Sequence, residues 1–378
     1  MVGSHLERLV GKTGPHRILA LDGGGIRGII SLEILQRIED LLRQDLDAGQ
    51  EFVLADYFDF FAGTSTGAII ATALAMGMPV RDIIAFYVDC GDKMFQHAAL
   101  WERFRYKYRE EALVEELQGV FGADTTLGSE KLRALLMLVM RNANKDQAWT
   151  LTNNPHSPFN HPDHPGNHLQ LPVWQLVRAS TAAPVYFPPE VVRIGEHEFV
   201  FVDGSVSAYT NPAFKAFLKA TAPIYEVNWP TGEDDLLLVS VGTGMAPHRR
   251  QELRSEDVNL KFDLEVLGPS LIMSTVVEQD ILCRMFGNCR FGPHLNKELG
   301  SLMGSGAPGD RKLFSYVRYN EDLTAEGLAR LGLPDIDPIR VQHLDATEEI
   351  PALRHIGQAI ARQQVAIEHL RLGASAHP

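Results

Sequence analysis

The chain has 378 residues, 45% of them hydrophobic, with 35 Lys and Arg against 48 Asp and Glu for a formal net charge of −13. That apolar content fills one large domain or two ordinary ones. The acidic balance excludes a nucleic-acid polymer as partner, since phosphate backbones are held by surplus Lys and Arg, and it disfavours purely electrostatic docking on an anionic membrane. Residues 1–15 lack an apolar signal core, and within this N-terminal segment Gly3-Ser4-His5 reads as a cloning remnant, so those three residues are set outside the fold. "RILALD" (17–22) is an apolar run that stops at three glycines, as a buried strand does. Ile30, Ile34, Leu35, Ile38, Leu41 and Leu42 then recur at helical spacing. "YFDFFAG" (57–63) is a second strand, and "STGAIIATALAMG" (65–77) is a helix apolar nearly all round, buried and too short to cross a bilayer.

Residues 79–147 read as a mostly helical insert, 150–172 as a Pro/Asn/His loop and 171–184 as a helix ending at Pro184. "EFVFVDG" (198–204) and "DLLLVSVGTG" (235–244) are two more strands that stop at glycine, the latter closing on a turn behind the site. The tail opens on Asp345-x-x-Glu348, a capping-box pattern, with Leu353, Ile356, Ile360, Ile367 and Leu370 on an apolar face. Core packing explains that face better than an oligomer seam, although a homo-oligomer stays open. The expected organisation is a domain over 16–320 and a helical extension over 321–378 packed on it. Buried strands alternating with helices imply an α/β fold with a largely parallel sheet, whose sites gather beyond the carboxyl ends of the strands. Three cysteines, Cys90, Cys283 and Cys289, without finger-like spacing point to a reducing, cytoplasmic setting.

"DGGGIRG" (22–28) contains G-x-G-x-x-G after a strand and before a helix, the context of a dinucleotide-binding turn. A nucleotide-binding oxidoreductase is therefore one reading. The physics common to all readings is that consecutive glycines bring backbone N–H groups close to an anion, whether a phosphate or the oxyanion of an ester under attack. "GTSTG" (63–67) is G-x-S-x-G at a strand-to-helix turn, the setting of a nucleophile elbow, in which the Thr66 N–H and the helix dipole face the developing oxyanion. Ser65 needs a base. Fourteen histidines are available, and the order Ser65, Asp203, then His248 or His294 permits a triad. Asp203 itself ends a strand beside Phe199, Phe201 and Val202, where desolvation raises a carboxyl pKa toward neutrality and makes it a better proton acceptor.

Together, "DGGGIRG", "GTSTG" and "DGS" (203–205), with "RASTAAPVYFPP" and the "NPAF" after Asp203, resemble the patatin-like phospholipases. Ser205 departs from the family's usual Gly or Ala. The resemblance implies a three-layer α/β/α architecture and a Ser65–Asp203 dyad without histidine. It implies an oxyanion cradle from Gly23, Gly24 and Gly25 and loop support or a phosphate contact from Arg27. It further implies phospholipid esters as substrate, free fatty acid and lysolipid as products, no metal or other cofactor, and peripheral action at the inner membrane surface. The chain also looks like the bacterial branch that contains the effector phospholipases of cyclic-oligonucleotide antiphage systems (CBASS), which implies a cyclic dinucleotide activator.

Two further stretches stand out. "WERFRYKYRE" interleaves Arg103, Arg105, Lys107 and Arg109 with Trp101, Phe104, Tyr106 and Tyr108, suited to a lid or regulatory surface or to a solvated helix face. "NPHSPFNHPDHPGNH" is dense in histidine, but its spacing fits no helix face, and a polar loop is the expected outcome rather than a metal site.

Overall fold

The computed structural model describes residues 3–94, 111–245, 266–295, 298–303 and 311–373. Within them a nine-stranded sheet has the order β5-β6-β3-β2-β1-β7-β9-β8, with β4 also paired to β3. The strands are β1 His16–Leu21, β2 Phe60–Thr64, β3 Leu135–Asn142, β4 Gln147–Thr152, β5 Glu190–Ile194, β6 His197–Asp203, β7 Leu236–Val241, β8 Asn288–Phe291 and β9 Ser315–Tyr319. β3, β2, β1, β7, β9 and β8 run parallel, whereas β4, β5 and β6 are antiparallel to their neighbours.

Helices cover both faces. On one side lie α2 Gly28–Asp45, α3 Thr66–Ala75, α4 Val80–Met94, α5 Glu111–Phe121, α6 Val173–Ser180 and, after the short α9 Ala325–Arg330 and α10 Pro338–Gln342, α11 Ile350–Gln364. On the other lie α1 Gly3–Val10, α7 Ala213–Thr221 and α8 Gly268–Phe286. This is the three-layer α/β/α arrangement. Its two cores sort by strand parity: Leu19 and Leu21 of β1 face one helix layer, and Ile18 and Ala20 face the other.

Four expectations are corrected. Residues 135–142 are a strand, not helix: "LLMLVMRN" is buried on both faces, so it shows the unbroken apolar run of a central strand instead of period-two alternation. Residues 147–152 form the antiparallel partner to that strand. The N-terminal segment is part of the fold, because Leu6 and Val10 are buried and the His5 ring hydrogen-bonds the Leu132 carbonyl at 2.7 Å. The tail helix starts at Ile350, after a 3₁₀ turn over Thr347–Glu349; the N-cap positions of turn and helix are Ala346 and Glu349, and Asp345 offers its backbone carbonyl to Thr347 N–H. Leu353, Ile356 and Ile360 of α11 are buried against α2, so this apolar face is consumed within the chain.

Candidate active site

Parallel register brings the ends of β1, β2 and β7 to one level: Leu21 pairs with Gly63 on one side and Val241 on the other. The three glycine turns that follow converge there. After Thr64 the chain reverses through Ser65 at φ 55°, ψ −126°, and α3 begins at Thr66. A non-glycine residue in this region is strained and persists only where its surroundings enforce it. The glycines explain how. A Cβ on Gly63 would collide with the Gly67 carbonyl, and one on Gly67 with the Leu21 carbonyl, so only this spacing lets α3 close over the strand ends. Ser65 N–H donates to Ser180 Oγ at 2.9 Å, and Ser180 Oγ donates to the Val139 carbonyl at 2.6 Å, which clamps the turn to α6 and β3.

Asp203 arrives from the other direction. Residues 137–139 of β3 pair with both β2 and β4, so those strands occupy opposite edges; residues 140–142 pair with both β4 and β6, so β6 shares the edge of β2. β2 and β6 thus lie end to end, with their carboxyl ends facing each other. Ser65 Oγ donates to Asp203 Oδ2 at 2.6 Å, Ser205 N–H donates to Oδ1 at 2.7 Å, and Asp203 N–H donates to the Ala182 carbonyl at 2.9 Å. Asp203 is 2% exposed and Ser65 8%. Burial pushes the Asp203 carboxyl up to about 6, against the opposing hydrogen bonds from Ser65 and Ser205. The result is a carboxylate that is ionised at neutral pH yet basic enough to receive a serine proton. Ser205, the departure from the usual small residue, is accommodated: its backbone closes the turn and its hydroxyl packs against Gly23.

The glycine loop lies beside the serine, with Gly23 against Ser65 Cβ. Its flanks are committed to the protein. Asp22 N–H donates to the Val241 carbonyl, Gly23 N–H to the Thr210 carbonyl and Ile26 N–H to the Leu344 carbonyl, while Thr243 Oγ1 donates to the Gly23 carbonyl at 3.0 Å. Gly23 is therefore corrected as an oxyanion donor, because its amide is already used. Among the described residues the amides of Gly24, Gly25 and Thr66 carry no protein hydrogen bond, Thr66 being the first residue of a helix. Arg27 is buried and donates from Nε to the Gly24 carbonyl at 3.4 Å, a support for the loop; its Nη1 has no partner among the described residues. Burial lowers this guanidinium to about 10, Tyr186 opposing.

Sequence reading missed one buried pair that anchors the loop. Asp22 accepts from Arg318 Nη1 at 2.9 Å and Nη2 at 2.5 Å, and Arg318 Nη1 also donates to Ser240 Oγ at 2.7 Å. Register places Ala20, Ser240 and Arg318 side by side on β1, β7 and β9, so the arginine reaches across β7 to the residue that starts the loop. Although burial disfavours its charge, Asp22 holds Arg318 firmly protonated.

Among the described residues no histidine is hydrogen-bonded to Ser65 or Asp203. Ser65 Oγ donates straight to the carboxylate, with no imidazole between. His294 follows β8, four strands from β2 and so about 19 Å away at sheet spacing; His248 lies outside the described residues, as do Trp101, Arg103, Arg105 and Lys107. His168 of the histidine-rich loop is packed between Phe159 and Trp149, and burial lowers it to about 4. Among the described residues no three His, Cys, Asp or Glu side chains converge as metal ligands, and no helix is long and apolar enough to cross a membrane.

The family pattern described as patatin-like phospholipase matches residues 19–217, which run from β1 to α7 and include the glycine loop, Ser65 and Asp203. The chain is 32% identical over 248 residues to Patatin-T5 of Solanum tuberosum and 31% identical over 250 residues to Patatin-17 of Solanum cardiophyllum, the matches covering 60% of this chain and 60% of each relative. VipD from Legionella pneumophila superposes with a TM-score of 0.38 at 15% identity, over 90% of this chain and 67% of that one. With more than half of its length matched and the pattern's segments meeting at one site, the chain belongs to the patatin-like phospholipase family.

Proposed function

We propose that this protein is a lipid acyl hydrolase that cleaves phospholipid esters with a Ser65–Asp203 dyad. The observation that carries the reading is the 2.6 Å hydrogen bond from Ser65 Oγ to a buried carboxylate at a strained strand-to-helix turn. Ser65 Oγ bonds to the acyl carbon as its proton passes to Asp203 Oδ2, and the carbonyl electron pair moves onto oxygen, where the amides of Gly24, Gly25 and Thr66 meet it. Collapse breaks the bond to the glycerol oxygen, which takes the proton from Asp203 and leaves as lysolipid. Water then gives a proton to Asp203 and attacks the acyl-serine; the fatty acid departs and the proton returns to Ser65. Each step balances without a cofactor.

The resemblance to the cyclic-oligonucleotide effector branch extends this reading to a cyclic dinucleotide switch on peripheral action at the inner membrane. Fatty-acid release from phospholipid vesicles, with and without a panel of cyclic dinucleotides, tests both parts. Release that survives in Ser65→Ala sinks the dyad. Equal release by the unaltered protein whatever nucleotide is present sinks the switch and leaves the chemistry standing.

A further inference from the structure

Two short 3₁₀ turns, Pro158–Asn160 and Pro223–Tyr225, share one design: proline at the first position, then a large apolar side chain held out in solvent. Phe159 is 54% exposed and Ile224 77%, the highest value among the exposed large hydrophobics of the described residues. The two turns are tied together. Asn160 Nδ2 donates to the Asn154 carbonyl at 2.6 Å, and Asn154 Nδ2 donates to the Tyr225 carbonyl at 2.6 Å. Proline-fixed turns cross-linked by side-chain amides hold both tips in place, Ile224 out in solvent and Phe159 stacked on His168 with the rest of its ring exposed.

Two lysines accompany the tips. Lys215 and Lys219 lie at i and i+4 on α7 and converge on one ring: Lys219 Nζ is 4.2 Å and Lys215 Nζ 5.3 Å from the Tyr225 centroid, and Lys215 Nζ donates to Tyr225 Oη at 2.9 Å. Among the described residues neither makes an ion pair with a carboxylate, and neighbouring Glu226 makes none with them. Burial, then Lys215, lowers Lys219 to about 8. Phe159 itself stacks on His168 at 5.3 Å. In a chain of net charge −13, a crowded cation pair without a counter-anion stands out. Lys215 Nζ also lies 5.6 Å from the ring of Tyr209, whose carbonyl accepts from Thr64 Oγ1.

We infer that Phe159 and Ile224 insert into a lipid surface while Lys215 and Lys219 meet its anionic head groups, so that α7 and its flanking turns dock the protein on membrane. The choice of a lipid occupant rests on the lipid-ester reading above. The chemistry is that of interfacial anchors: apolar tips enter the acyl boundary, and lysine and tyrosine sit at head-group level. Docking here is local and part apolar, which reconciles it with the overall negative charge.

The test separates docking from catalysis. Sedimentation of the Ser65→Ala protein is measured with vesicles of phosphatidylcholine alone and of an equimolar mixture with phosphatidylglycerol. Cleavage of a soluble short-chain ester is measured in the active background. The parent binds the anionic vesicles more tightly than the neutral ones. Lys215→Gln/Lys219→Gln weakens anionic binding about 10- to 30-fold, at roughly one order of magnitude or less per lysine. Lys215→Arg/Lys219→Arg keeps it, and Phe159→Ser/Ile224→Ser weakens binding to both kinds of vesicle. All three double variants keep the soluble-ester rate. Unchanged anionic binding by the Gln variant, or equal binding of the parent to both vesicles, overturns the proposal. A parent inert on every ester undermines the catalytic reading instead and leaves the binding comparison intact.

Discussion

Thr64 and Asp203 stand opposite consecutive residues of β3, Val139 and Met140, so the strand that leads into Ser65 and the strand that ends at Asp203 meet head to head on one edge of a third. A backbone ladder, not a flexible side chain, thereby sets the separation of Ser65 and Asp203. Ser65→Ala removes the attacking atom, and Asp203→Asn keeps the shape but not the basicity. The first should abolish ester cleavage, and the second should lower kcat by about 10²–10⁴-fold. Circular dichroism should stay unchanged in both, and His294→Ala should retain the full rate.

The Asp203 carboxyl, raised to about 6 by burial, must be ionised to accept the serine proton. The kcat/KM for a soluble ester should therefore fall as pH drops through about 6 and level off above about 7. Stability runs the other way. The folded carboxyl holds its proton more tightly than the unfolded one, so the penalty is absent below the unfolded pKa, grows as pH rises toward 6, and is complete above it. Asp203→Asn should consequently raise the unfolding free energy by about 1–3 kcal/mol at pH 7.5 and by little at pH 4. Denaturant melts at the two pH values check the sign.

Strain at Ser65 gives a second trade of stability for function. Glycine accepts φ 55°, ψ −126° without penalty, whereas alanine does not. Ser65→Gly should be inactive and more stable than Ser65→Ala by about 1 kcal/mol, measured by chemical denaturation. Equal stabilities would mean that the turn stores no strain.

The Asp22–Arg318 pair predicts a pattern of losses. Arg318→Met leaves an uncompensated buried carboxylate next to the oxyanion loop and should cost about 3–5 kcal/mol. Asp22→Asn/Arg318→Met removes both charges and should recover part of that cost. Where the double variant folds, kcat should still be depressed with KM little changed, because the amides of Gly24 and Gly25 lose the anchor that aims them. Wild-type kcat in the double variant would show the pair to be structural only.

Much of the site was legible because its chemistry is local. A serine flanked by glycines at a strand end, and an Asp-Gly turn after "EFVFV", each declare a conformation within a few residues. Other parts were hidden by distance or by burial. Ser180 and Arg318 act on residues 115 and 296 positions away, and nothing in their neighbourhood says which segment each will meet. Gly23, Gly24 and Gly25 look alike in sequence, and only the Thr210 carbonyl, brought in after Asp203, sets Gly23 apart. β3 was misread because a strand covered on both faces loses the alternation that marks a half-buried one.

The amino-acid order alone determined the α/β class, the serine at a strand-to-helix turn, the carboxylate at a strand end and the glycine turn, since each depends on short-range sterics and on which side chains shun water. Tertiary structure alone decided that β2 and β6 share one edge of β3, which amides stay unpaired, that an arginine beyond the family match anchors the loop, and that two remote turns present their apolar tips beside a lysine pair. Those outcomes depend on pairing and packing between segments far apart in the chain, where no local pattern carries the information.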